Sequence, residues 1–222
     1  MLRAVLFDWN NTLVRFDWDE ERVAEGHRAA LGRDDPEFTA RWREAVFGDH
    51  GYRPYVELLA ELGVDDPDAF IDAEHEMWRP AYAVLASAAA LLDSLRSLGL
   101  KTGIVANSWP DPGRILRADA ASFGLADRVD VMVFSEEAGV RKPHPEIFLR
   151  TCRLLEVEPA EAMYVGDDLE TDVKGASAVG LATVQALWFR ADDAQVGVEA
   201  DVQAFTPMDV LNAVRRLPIA VR

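Results

Sequence analysis

Five short apolar runs recur along this chain, separated by stretches with helical periodicity. The runs are residues 2–7 (LRAVLF), 102–106 (TGIVA), 129–134 (VDVMVF), 162–165 (AMYV) and, more weakly, 181–184 (LATV). Nearly continuous apolar runs of this length suit strands buried on both faces. Residues 86–98, 112–123, 145–155 and 172–179 read as helices between them. Strands alternating with helices predict an α/β fold, a doubly wound parallel sheet with helices on both faces. A hydrophobic content of 50% over 222 residues suffices for such a core.

Residues 15–85 break the rhythm. The segment is rich in Trp, Arg, Glu and Ala, has helical spacing at 20–31 and 54–62, and offers no convincing strand. It reads as a helical insertion, so the expected division is a core of residues 1–14 and 86–222 with a cap of residues 15–85. An insertion directly after the first strand is expected over the carboxyl ends of the strands, where open α/β sheets bind ligands.

Charge narrows the function. Thirty-nine acidic residues against 23 basic ones give a net charge of −16, which argues against nucleic acid or an anionic membrane as partner. A phosphorylated ligand would need local help from a cation, a lysine or helix-start amides. The acidity serves solubility equally well. No apolar run approaches the roughly 20 residues needed to span a bilayer, and residues 1–7 lack a signal-peptide layout, so a cytoplasmic location is expected. Cys152 is the single cysteine, which excludes an intrachain disulfide and a multi-thiolate metal site. It is expected to be a buried small hydrophobe.

Polar residues follow almost every expected strand: Asp8, Asn10 and Thr12 after the first, Asn107 and Ser108 after the second, Lys142 after the third, Asp167, Asp168 and Asp172 after the fourth. One such group is explained by turns and helix caps. Four groups brought to one sheet edge call for chemistry. Asp8 and Asp167 are hard oxygen donors of the kind that hold Mg²⁺ beside a phosphate. A carboxylate there can also attack phosphorus, which makes Asp8 the candidate nucleophile. Lys142, one of three lysines, offers a point charge to the transferring oxygens.

These residues resemble the haloacid dehalogenase superfamily. The four motifs appear as FDWNNTL (7–13), IVANS (104–108), RKPHPEIF (141–148) and YVGDDLETD (164–172), and the match extends to about residue 184. The resemblance implies a Rossmann-like core with strand order 5-4-1-2-3 and a helical cap. It also implies a Mg²⁺-dependent phosphatase acting on a small phosphorylated metabolite through an aspartyl-phosphate at Asp8. Asp8, the backbone carbonyl at Asn10, Asp167 and Asp172 would hold Mg²⁺, with Asp172 just outside or reaching it through water. Thr12 would fix the first loop, Lys142 would stabilise the phosphoaspartate, and the loop at Asn107 and Ser108 would bind phosphoryl oxygens. Asp168 is open between a helix cap and a metal role. A monomer or homodimer fits.

The chain departs from the family pattern twice. Asn10 stands where the family has a second Asp that protonates the leaving group, and an amide cannot exchange a proton in that way. The substrate could be an acyl phosphate needing no protonation, the protein an impaired relative, or Asn10 a substitution made to trap a complex. Ala106 replaces the usual Ser or Thr, leaving Asn107, Ser108 or backbone amides to bind phosphate. A non-catalytic, regulatory protein that binds a phosphorylated ligand is the alternative. Dehalogenation is disfavoured by the acidic fourth motif, and the phosphonate-cleaving branch by the absence of lysine before residue 101. Trp9 and Trp109 are expected to wall the site. Arg15, Trp18, Arg22 and His27 are early insertion residues that could face substrate, although packing and solvated surface suit them better. His144 is expected to position the Lys142 loop.

Overall fold

The computed structural model describes residues 1–16, 19–47, 53–189 and 200–216. In chain order the strands are β1 (Ala4–Phe7), β2 (Val14–Phe16), β3 (Tyr82–Val84), β4 (Lys101–Ala106), β5 (Val131–Phe134), β6 (Ala162–Gly166), β7 (Ala182–Ala186) and β8 (Val202–Ala204). The helices are α1 (Glu20–Leu31), α2 (Pro36–Phe47), α3 (Tyr55–Glu61), α4 (Pro67–Trp78), α5 (Ala88–Ser97), α6 (Gly113–Ser122), α7 (Ser135–Ala138), α8 (Pro145–Leu154), α9 (Gly175–Ala178) and α10 (Pro207–Arg216).

Six strands form one sheet in the order β5-β4-β1-β6-β7-β8, all parallel. Read from the other edge, β7-β6-β1-β4-β5 is the expected order 5-4-1-2-3, with β8 added outside it. All four residues of β1 and all five of β6 are buried. That is why both strands read as unbroken apolar runs. Ala4, Leu6, Val105, Val133 and Tyr164 pack with Ile147, Phe148 and Cys152 of α8 into one core cluster. Cys152 is the buried hydrophobe its sequence context suggested. Val5 and Phe7, alternating with these, are equally shielded, so the sheet is covered on both faces. Each such aliphatic or aromatic side chain contributes about 1.5–3 kcal/mol.

The described chain divides into two compact units. One comprises residues 1–15, 84–108 and 113–222, and the other residues 16–83 with 109–112. The chain crosses between them inside the small β2-β3 sheet. Trp109–Pro112, expected in the core, belong with the helical unit.

The helical unit has its own core. Asp19 caps α1 by accepting from the Glu21 amide at 3.0 Å, and Gly32 ends the helix in the left-handed region that glycine enters at no cost. The helix packs along α4 at Gly26, where an added Cβ would stand 2.8 Å from Trp78 Nε1. Phe38, Trp42, Phe70 and Trp78 fill the interior. His27 lies among them, its ring 4.7 Å from that of Trp42, and Nδ1 pairs with Thr39 Oγ1 at 2.9 Å. It is a core residue of this unit. Trp18 lies outside the described residues.

Candidate active site

The parallel register brings four strand ends together. Phe7 pairs with Ile104 on one side and Val165 on the other, and the Asp8 amide donates to the Val165 carbonyl at 2.9 Å. Asp8 therefore leaves β1 beside Asp167 as it leaves β6. After Asp8 the chain turns sharply: the Trp9 carbonyl accepts from Leu13 and Val14 at 3.0 and 2.9 Å, and Asn11 takes a φ of 53°, a conformation Asn tolerates. Asn10 is exposed at this turn. Thr12 is fully buried; its carbonyl accepts from Trp188 Nε1 at 2.9 Å, and its hydroxyl has no hydrogen-bond partner among the described residues.

Asp8, Asp167 and Asp172 form a buried group in which one carboxylate oxygen from each lies within 4.8 Å of the others. Lys142 enters this group. Its Nζ donates to Asp8 Oδ1 and to Asp172 Oδ1, both at 2.6 Å, and to the Tyr164 hydroxyl at 3.0 Å. Three N–H bonds thus meet three acceptors. Asp172 is held from its other oxygen by the Asp168 amide at 3.2 Å. Gly166 makes room for it: a Cβ there would come within 2.7 Å of Asp172 Cβ and overlap the carboxylate.

Electrostatics follow from one ammonium serving three carboxylates. Burial first, then Asp172 and Asp167, push Asp8 up to about 8 against the opposing pull of Lys142. Burial alone would lower Lys142, but Asp172 and Asp8 outweigh it and hold the ammonium above its ordinary value. The group carries surplus negative charge on hard oxygen donors, and a divalent cation fits it on both counts.

Other expected site residues have different occupations. Asn107 clamps the Lys142 backbone, accepting its amide at 2.8 Å and donating to its carbonyl at 3.2 Å. The Ser108 hydroxyl accepts from the Glu136 amide at 3.0 Å and pairs with Ser135 Oγ at 3.2 Å. Both side chains, expected to bind phosphoryl oxygens, are engaged in bracing the loops after β4 and β5. Trp9, expected as a wall, is wholly buried and stacked on Phe123 with centroids 6.3 Å apart. The other expected wall, Trp109, sits in the helical unit with its ring 5.5 Å from that of Tyr55. Asp168 Oδ1 accepts from the amides of Glu170 and Thr171 at 3.0 and 2.7 Å, the geometry of a helix cap. His144 caps α8 through the Glu146 amide at 3.2 Å.

Comparison with known proteins places this arrangement in a family. The model of the haloacid dehalogenase-like hydrolases matches residues 2–180. The chain belongs to that family. A glyceraldehyde 3-phosphate phosphatase from Methanopyrus kandleri is 30% identical, with 98% of this chain and 99% of the relative covered. An N-acetylmuramic acid 6-phosphate phosphatase from Pseudomonas aeruginosa is 28% identical over 97% of this chain and 96% of the relative. Among solved structures, a haloacid dehalogenase-family phosphatase from Thermococcus onnurineus superposes with a TM-score of 0.74 at 27% identity, covering 96% of this chain and 98% of that one.

Tyr164 is the participant that reading the sequence for site residues passed over. An aromatic residue inside an apolar run looks like core, and its ring is core; only the hydroxyl reaches the polar group.

Proposed function

We propose that this chain is a Mg²⁺-dependent phosphatase that releases orthophosphate from a small phosphorylated metabolite of the sugar-phosphate kind, through a phosphoaspartate at Asp8. The observation that carries the reading is the Lys142 ammonium, 2.6 Å from Asp8 Oδ1 within a buried trio of carboxylates. Relatives named for phosphatase activity on glyceraldehyde 3-phosphate and N-acetylmuramic acid 6-phosphate support the substrate class.

In this scheme an Asp8 oxygen attacks phosphorus, the new O–P bond forms, and the bond to the leaving oxygen breaks with its electron pair. Water then displaces Asp8, and its proton passes to solvent. Lys142 favours the ionised form of Asp8 against burial and the neighbouring carboxylates, aims its oxygen, and balances charge on the transferring oxygens. Asp8, Asp167, Asp172 and the Asn10 carbonyl would hold Mg²⁺, which when bound neutralises the charge of the incoming phosphate. Choice among metabolites is assigned to the helical unit in the role of cap.

Asn10 shapes the reactivity. Its amide cannot protonate a departing alkoxide, and general acid–base help is worth about 10²- to 10⁴-fold. Phosphates whose leaving group needs no proton, such as acyl and p-nitrophenyl phosphates, are turned over faster than alkyl esters. The same residue favours a second reading, a regulatory protein that binds phosphorylated ligands with little turnover. A comparison of the parent with Asn10→Asp and Asp8→Asn on acetyl phosphate and on sugar phosphates separates them. The enzyme reading expects Asp8-dependent turnover and a gain on alkyl esters in Asn10→Asp. Failure of turnover in both parent and Asn10→Asp, with orthovanadate still bound, overturns it.

A further inference from the structure

Lys142 is the pivot of the proposed chemistry, yet two carboxylates do not by themselves fix an ammonium that has three N–H bonds. The third acceptor is the Tyr164 hydroxyl at 3.0 Å. That hydroxyl is itself tied down: it donates to the Val105 carbonyl of β4 at 2.9 Å and lies 3.2 Å from Asp172 Oδ1. Whichever of these oxygens takes its single proton, a lone pair remains for Lys142.

The ring below is held with equal firmness. Tyr164 is 1% exposed, packs in the cluster with Leu6, Val105 and Phe148, and meets the Phe148 ring edge-on at 5.2 Å. A hydroxyl placed in such an apolar setting costs desolvation unless its bonds are made. Here all of its bonds lead to the strand end that carries the site. The side chain spans from β6 across to β4, with β1 and Asp8 between them.

We propose that Tyr164 is a positioning residue for Lys142: its hydroxyl completes the coordination of the ammonium and holds it on Asp8. The proposal rests on phosphoryl transfer at Asp8. Without the hydroxyl the ammonium keeps two acceptors, one of its buried N–H bonds goes unmet, and it swings about the Asp172 side of the group. Substrate binding is unaffected, because Tyr164 does not reach the surface. Chemistry slows.

The test uses the full chain with Mg²⁺ and p-nitrophenyl phosphate, whose leaving group needs no proton. Tyr164→Phe keeps the ring and is checked for folding by its circular dichroism melt. The expected result is a fall in kcat of about tenfold with KM within twofold of the parent, the signature of an interaction used in the transition state. Added to Lys142→Met, Tyr164→Phe is expected to cause no further loss of the residual rate, since a residue acting through Lys142 has nothing left to act on. Two results overturn the proposal alone: kcat within twofold of the parent while Asp8→Asn abolishes turnover and Lys142→Met reduces it to a residual rate, or a full tenfold further loss on the Lys142→Met background. Parent-like turnover in Asp8→Asn overturns the phosphatase reading, and the proposal with it.

Discussion

Asn107 holds Lys142 by its backbone, with Oδ1 on the Lys142 amide at 2.8 Å and Nδ2 on its carbonyl at 3.2 Å. The loop after β4 therefore sets the position of the loop that carries the ammonium. Each bond contributes about 1 kcal/mol. Asn107→Ala is expected to lose about 2 kcal/mol in urea unfolding and to lower kcat more than it raises KM. Asn107→Asp keeps the acceptor and loses the donor, so it should fall between the two. Equal stability of the parent and the alanine variant would remove the clamp from the account.

Gly166 and Asp172 share one space. A methyl group at Gly166 would overlap the Asp172 carboxylate, which must move away from Lys142 or push β6 aside. Gly166→Ala should lose most activity even if it folds, and Gly175→Ala, which meets Pro143 and Phe148 at about 3 Å, should lose stability instead. Steady-state kinetics beside thermal melts distinguish the two outcomes.

Asp168 caps the helical turn Leu169–Lys174 through Glu170 and Thr171. Asp168→Ala is expected to cost about 1 kcal/mol of stability and to leave the activating Mg²⁺ concentration within twofold. Asp168→Asn keeps a capping oxygen and should be near neutral. A tenfold weaker Mg²⁺ response in the asparagine variant would assign the carboxylate to the metal.

The helical unit carries a pH signature. Glu74 is buried with Tyr55 donating to Oε2 at 2.8 Å and His27 Nε2 3.0 Å from Oε1. Burial holds the Glu74 carboxyl well above the ordinary 4.5 and pulls His27 down to about 4. For Glu74, whose folded value is raised, the stabilising contribution is complete below pH 4.5 and is lost as pH rises from there through the folded value. For His27, whose folded value is lowered, stability is present above pH 6.5 and lost as pH falls from 6.5 toward 4. Glu74→Gln mimics the protonated acid, so it should match the parent near pH 5 and exceed it at pH 8. Urea midpoints at the two pH values check this, and a variant weaker than the parent at pH 8 would contradict a neutral Glu74.

Much of the sheet was legible because its strands are buried on both faces and read as unbroken apolar runs. β8 was not: Val202–Ala204 is three residues with a glutamine at the centre, too short for any period to show. The strand-end carboxylates and Lys142 stood out by their motif spacing. The roles of Asn107 and Ser108 did not, because a polar side chain after a strand looks the same whether it faces a ligand or a neighbouring loop. Tyr164 and Trp9 were hidden in the opposite way. Aromatic residues in apolar surroundings carry no sign of whether their polar atom is used, and only packing separates the indole against Phe123 from the hydroxyl on Lys142.

The central claim is that Asp8 accepts a phosphoryl group. The direct measurement is to mix the protein with Mg²⁺ and acetyl phosphate, quench in acid, and locate the adduct by intact-mass and peptide mass spectrometry. The account predicts a gain of one phosphoryl group, mapped to Asp8, labile to hydroxylamine and absent in Asp8→Asn. Turnover of acetyl phosphate with no adduct at Asp8, or with an undiminished rate in Asp8→Asn, would contradict it.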